Sequence, residues 1–141
     1  MALAMVTGCV RHPVGPARTF DTYEDKATTT AEAALSAVST TILAAQVGTA
    51  GQAWGPYLSI LVSEQEDAIA GVEGTFASVQ PPDARSEALR RQLLDIVQPA
   101  ADHVAQVRIT VRRGRLDDLV AVAQPLDDDQ LQLRAFLESH Q

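Results

Sequence analysis

Two prolines and three glutamines are the residues of this sequence best able to build a site inside a helical core. Pro99 and Pro125 each remove a backbone donor within a helical pattern. Each also frees the carbonyl four residues earlier, at Asp95 and Ala121. A chain that folds back at Arg113-Gly114 brings the two prolines within one helical turn of each other, with Gln98 and Gln130 at the same level. Gln65 starts from the same end at a comparable depth, and a reversal around Gly51 sets Ser39 opposite it. The expectation is a mid-bundle polar layer of Ser39, Gln65, Gln98, Asp102, His103 and Gln130, with Asp127 beside it. Freed carbonyls and amides in such a layer suit water or a small polar ligand. Single polar residues in a helical seam also serve simply to set register.

Other chemistry is scarce. The sequence holds no nucleophile elbow, phosphate-binding loop, H-E-x-x-H or C-x-x-C motif. Di-iron bundles require Glu-x-x-His on facing helices. The residues three before His103 and His140 are Ala100 and Leu137. No catalytic set, no metal site and no cofactor is therefore expected. Asp127-Asp128-Asp129 diverge by about 100° each around a helix and predict a solvated face. Arg108, Arg112, Arg113 and Arg115 suit the last turn of a helix, where cations are stabilised. His12 and His140 fall in a tether and a tail. Trp54 and Tyr57 sit at the first interhelical turn, where they either cap the core or anchor a partner.

The elements that position these residues read as four helices. Thr22 with Asp25 three residues on predicts a capped start. Ala27, Ala31, Leu35, Val38, Ile42 and Ala45 then recur at helical spacing, giving a first helix over about residues 22–47. Gly55-Pro56 opens the second, whose seam is Leu58, Val62, Gln65, Ile69, Val72, Phe76 and Val79. Pro81-Pro82 stops it, and Asp83 caps a third with a seam of Leu89, Leu93, Ile96, Ala100, His103 or Val104, Val107 and Val111. After Gly114, Leu116, Leu119, Ala123, Leu126, Gln130, Leu133 and Leu137 define the fourth. No segment alternates with period two. The expected fold is all-α, an up-down-up-down antiparallel four-helix bundle with kinked third and fourth helices.

Composition narrows the function. The 141 residues suit one domain with its own core. Eleven basic against 18 acidic side chains give a net charge of −7, which excludes a nucleic-acid partner. Aromatic residues make up 4%, too few for a base- or sugar-stacking surface. The one cysteine excludes an intramolecular disulfide and any multi-cysteine metal site.

That cysteine, Cys9, closes the run Leu3-Ala4-Met5-Val6-Thr7-Gly8-Cys9. The run resembles the lipobox of bacterial lipoproteins, in which an apolar residue, two small residues and a cysteine end a signal peptide. Residues 10–21 follow as a tether with Pro13, Gly15 and Pro16, ahead of a bundle domain over 22–141. The whole chain is similar to small helical lipoproteins of high-GC bacteria. The likeness implies that residues 1–9 are a residual signal peptide and that Cys9 carries a lipid holding the chain to the outer, extracytoplasmic face of the cell membrane. Eight residues precede Cys9 and none is basic, so the resemblance implies that Met1 is either an internal methionine of a longer precursor or a misplaced start. It brings no particular activity. The reading that follows is a non-catalytic envelope lipoprotein that binds a protein partner. The alternative is a small-ligand-binding or sensory bundle using the mid-bundle polar layer.

Overall fold

In the computed structural model, which describes residues 15–140, the chain is all-helical and its helices pack against each other. Helix α1 spans Phe20–Thr49, α2 Gly55–Ser78 and α3 Ala84–Arg112. The fourth arm is a 3-10 turn at Leu116–Asp118 followed by α4, Leu119–Ala123, and α5, Pro125–Ser139. No strand occurs among the described residues.

Capping chemistry sets the boundaries. The Thr19 hydroxyl accepts from the Thr22 N–H, and the Thr22 hydroxyl accepts from the Thr19 N–H, each at 3.3 Å. Helix α1 therefore starts two residues before the position that Thr22 and Asp25 suggested, because Thr22 serves as the third helical residue of the box rather than its cap. Phe20 lies in that first turn, with the Arg85 guanidinium 3.5 Å above its ring. Asp83 caps α3 through the Ser86 N–H at 2.7 Å, and this bond holds its carboxyl below the usual carboxylate range. Gly51 and Gly114 occupy the turns after α1 and α3 with φ of 67° and 69°, a region other residues enter only at a cost. Pro125 supplies the first residue of α5, where its missing N–H is not needed.

Small side chains decide how the helices meet. Ala27, Ala31, Ala34, Ala37, Ala44 and Ala45 are buried along α1, which packs on α2, α3, α4 and α5. Across from them stand Leu58, Val62, Ile69 and Phe76 of α2 and Leu89, Leu93, Val97, Ala100, Val104 and Val107 of α3. Leu119, Leu126, Leu133 and Phe136 complete the core. The α3 seam runs through Val97 and Val104, with Ile96 and His103 only half-buried beside it. Thr49 joins the end of α1 to the fourth arm: its hydroxyl donates to the Leu116 carbonyl at 3.1 Å and accepts from the Val120 N–H at 3.3 Å.

Tyr23 is fully buried against Phe76, ring centroids 5.2 Å apart, and its hydroxyl finds no hydrogen-bond partner among the described residues. Burial pushes its phenol pKa up; Arg90 opposes this and Glu87 adds to it. Phe76→Ala should cost about 3–5 kcal/mol as a large core truncation, read by urea denaturation. Tyr23→Phe should instead be neutral or stabilise the fold by up to about 1 kcal/mol, because it removes an unpaired buried hydroxyl. Tyr23 contributes its full stability below the unfolded tyrosine pKa of about 10, and that contribution is lost as pH rises through the higher folded value. The advantage of Tyr23→Phe over wild type should therefore widen above about pH 10, and a constant difference across pH 8–11 would refute this assignment.

Candidate functional site

Two adjacent residues of α5 bond to two different helices. Gln130 donates through Nε2 to the Ser39 hydroxyl of α1 at 2.8 Å. Asp129 places Oδ2 2.6 Å from Nδ1 of His103 on α3. A carboxylate can only accept, so Nδ1 carries the proton and donates. One turn of α5 is thus fastened to two other helices by side chains, at a level where Val104 and Leu126 close the apolar core around it.

The expected polar layer forms only in part. Ser39, His103 and Gln130 are half-buried and engaged as described. Gln65 is half-buried in the α2 seam, but its amide turns back to the Leu61 carbonyl of its own helix at 3.3 Å. Gln98 and Asp102 are exposed. The buried line of α3 passes through Val97, Ala100 and Val104, and both residues sit about 100° or more away from it. Asp127 is exposed as well, on the rim of a surface hollow of about 500 Å³ beside the break at Gln124.

The acidic triplet needs a correction. Asp127 and Asp128 face solvent, whereas Asp129 is 4% exposed and inside the protein. Leu126, Asp129, Leu133 and Phe136 step by three, four and three, so they share one helical face. That spacing was the available signal, outweighed by the rarity of buried carboxylates. The arginine cluster also divides. Arg108 forms an ion pair with Glu66, and Arg112 donates to the Ser63 hydroxyl at 3.5 Å, both on α2. Arg115 pairs with Asp118 at 3.6 Å, in the open.

Among the described residues no nucleophile is bonded to the His103–Asp129 pair. The Ser39 hydroxyl donates to the Leu35 carbonyl at 2.7 Å and accepts from Gln130, so its hydrogen bonds do not join those of His103. Among the described residues no group of three or more His, Cys, Asp and Glu is placed to hold a metal ion. Cys9, the proposed lipid site, lies outside the described residues, as do residues 1–14 of the expected signal segment and tether. No described helix is long and apolar enough to cross a membrane.

The largest unburied apolar groups lie elsewhere. Trp54 and Tyr57, with Ile60 one turn further along α2, are 76%, 58% and 62% exposed. They do not cap the core; Leu58 and Leu61 face inward from the same turn. No protein-family model, curated protein or solved structure matches this chain.

The two polar pairs make separable predictions. Gln65→Leu should be neutral or stabilising, since its amide serves only its own helix. Gln130→Leu should cost about 0.5–1.5 kcal/mol through the lost bond to Ser39, and the two changes should add. His103→Leu should cost about 1–3 kcal/mol by leaving the Asp129 carboxylate buried without a partner. Asp129→Leu in the same chain should recover part of that loss. Strict additivity of His103→Leu and Asp129→Leu in urea unfolding would show that the pair carries no coupling.

Proposed function

We propose that this chain is a lipid-anchored envelope protein of the extracytoplasmic membrane face that acts as a non-catalytic interaction module. The observation that carries the reading is the exposed cluster of Trp54, Tyr57 and Ile60 at the far end of α1 from the proposed tether. Helix α1 has 30 residues and is about 45 Å long, so the cluster stands well clear of a membrane holding Cys9. Large aromatic side chains are the groups that most often dominate binding energy at a protein interface. Left open to water as a group, they favour a partner that covers them.

The arrangement that delivers the cluster there is an up-down-up-down antiparallel bundle. Its support comes from which ends meet. Gly48, near the end of α1, packs against Leu58 at the start of α2 and Leu119 at the start of α4. Tyr23 and Phe20, at the start of α1, meet Phe76 late in α2 and Arg85 early in α3. Kinks at Pro99 and Pro125 belong to the same reading. Pro99 withholds one N–H from the α3 ladder, and beside Pro125 the ladder tightens to three-residue bonds, from the Gln124 N–H to the Ala121 carbonyl and from the Asp127 N–H to the Gln124 carbonyl. The anchor rests on Val6-Thr7-Gly8-Cys9. A ligand-binding or sensory bundle is the second reading, and the hollow lined by Gln46, Asp117, Gln124 and Asp127 is what favours it.

Expressed with a complete signal peptide, the protein should fractionate with membranes, and Cys9→Ser should release it to the soluble fraction. Membrane retention of Cys9→Ser would overturn the anchor. Crosslinking in intact cells should give a discrete adduct with an envelope protein. Trp54→Ser with Tyr57→Ser should abolish that adduct while changing stability by less than about 1 kcal/mol, as exposed positions do. An adduct that survives this pair of changes would remove Trp54 and Tyr57 from the interface.

A further inference from the structure

A groove of about 840 Å³ runs between α1 and α2 at the end where α1 begins, away from Trp54. Its apolar surface comes mainly from Ala33, Ala68, Val72, Phe76 and Val79, with Pro16 at one end. Threonines also line it, yet their hydroxyls are already used. Thr29 donates to the Asp25 carbonyl, Thr30 to that of Lys26 and Thr75 to that of Gly71, each at 2.8 Å. Hydroxyls that close onto their own helix leave methyl groups for an occupant and demand little water.

Gly71 and Gly74 lie in the interior of α2, where glycine weakens a helix relative to alanine. Neither has a positive φ, and a Cβ built on either would meet nothing within 4 Å. Packing within the chain therefore does not require them. Of the two, Gly71 lines the groove and leaves the α2 backbone bare where it opens, so a second helix can approach closely.

Charge selects the occupant. Helix α2 contains Glu64, Glu66, Asp67 and Glu73 and no Lys or Arg. Glu66 is neutralised on the opposite flank by Arg108, whereas Asp67 and Asp25 border the groove. Lys26, also at its edge, is engaged within the protein. Asp21, Asp25 and Glu32 continue the acidic character along the exposed side of α1. A second copy presenting the same face would set acid against acid, and an anionic lipid surface would be repelled likewise.

We propose that this groove docks a basic amphipathic helix of a partner protein, with its apolar face against Ala68, Gly71 and Val72 and its cations toward Asp25 and Asp67. Gly15 and Pro16 line one end, and the lining then runs from Thr22 to Ala33 along α1 and from Asp67 to Val79 along α2. The helical stretches set its length. These stretches are about 16–18 Å long, the length of three helical turns. Apolar anchors at i, i+3 or i+4 and i+7 would fill it. The site is separate from the Trp54 cluster, and either can fail without the other.

The test uses the full 141-residue chain and two synthetic peptides of about fifteen residues with the same leucine spacing, one with lysines and one with glutamates at the polar positions. In fluorescence anisotropy the lysine peptide should bind at least tenfold tighter than the glutamate peptide. Gly71→Leu should weaken it tenfold or more by filling the groove. Asp25→Asn with Asp67→Asn should weaken it several-fold and flatten its salt dependence, while Trp54→Ser should leave it unchanged. Ala68→Leu, at an exposed position of the same groove, repeats the filling test should Gly71→Leu fail to fold by circular dichroism. Absence of lysine-peptide binding, equal affinity for both peptides, or indifference to groove filling would overturn the proposal. Self-association abolished by Gly71→Leu would overturn it too, by assigning the groove to a second copy.

Discussion

The small side chains of α1 set the spacing on which the rest of the bundle depends. A four-helix arrangement built on leucines keeps diagonal helices apart. Here six buried alanines let α1 contact α3 as well as its other neighbours. Close approach replaces thick side-chain layers with many short-range contacts, and dispersion rewards it only where the fit leaves no voids. Large residues fill the two ends of α1: Tyr23 against Phe76 at one, Leu58 and Leu119 around Gly48 at the other. Tight packing at the first end also explains the stranded Tyr23 hydroxyl, since the ring fills space that its oxygen cannot use.

Close helices leave the mid-bundle polar groups little choice of partner. A buried carboxylate costs several kcal/mol unless paired, and Asp129 has His103 within 2.6 Å. Because Gln130 follows it directly, α5 is gripped on two sides at one level. Slipping α5 by one residue would carry Asp129 away from His103 and expose Leu126, Leu133 and Phe136 together. Polar specification of this kind fixes register, the same role that isolated polar seam residues play in coiled coils. It also engages a Gln130 amide N–H, the Ser39 hydroxyl and His103 Nδ1 within the protein.

Much of this was legible in the residues. The seam from Leu58 to Val79 kept its heptad phase through Gln65, and the structure buries Leu58, Val62, Ile69 and Phe76 on it. The breaks at Pro81-Pro82 and Gly114 and the cap at Asp83 followed from local chemistry that operates in any context. Two things were not readable. Thr19 and Thr22 are both competent caps, and only the reciprocal bonds decide between them. In the fourth arm, Gln130 and Asp129 compete for one seam. Polarity alone ranks the glutamine as the easier residue to bury, and the decision lies with His103 on another helix, 26 residues away in sequence. The spacing of Asp129 with Leu126, Leu133 and Phe136 marks the buried face, but the partner that makes a buried carboxylate tolerable is not local. Gly71 and Gly74 show the converse: their cost is visible in the sequence, while the open space above them is seen only in the folded chain.

The surface is less even than the core. Arg85, Arg90, Arg91, Arg108 and Arg112 all belong to α3, while α2 carries acids alone. Where the two helices touch, the charges cancel: Arg108 meets Glu66, and Arg90 caps the Ala77 carbonyl at 2.6 Å. What remains on the outer side of α1 and α2 is therefore mainly acidic, with Lys26 the one cation that α1 contributes. Self-repulsion along that face is a standing cost of the folded state, reduced by salt and by any cation-bearing partner. The aromatic end has the opposite character, with Trp54, Tyr57 and Ile60 exposed and no acidic residue in the first turn of α2. One surface is thus governed by charge and the other by apolar area. Rising ionic strength weakens the first kind of association and leaves the second largely intact, so the two surfaces would respond differently to the same environment.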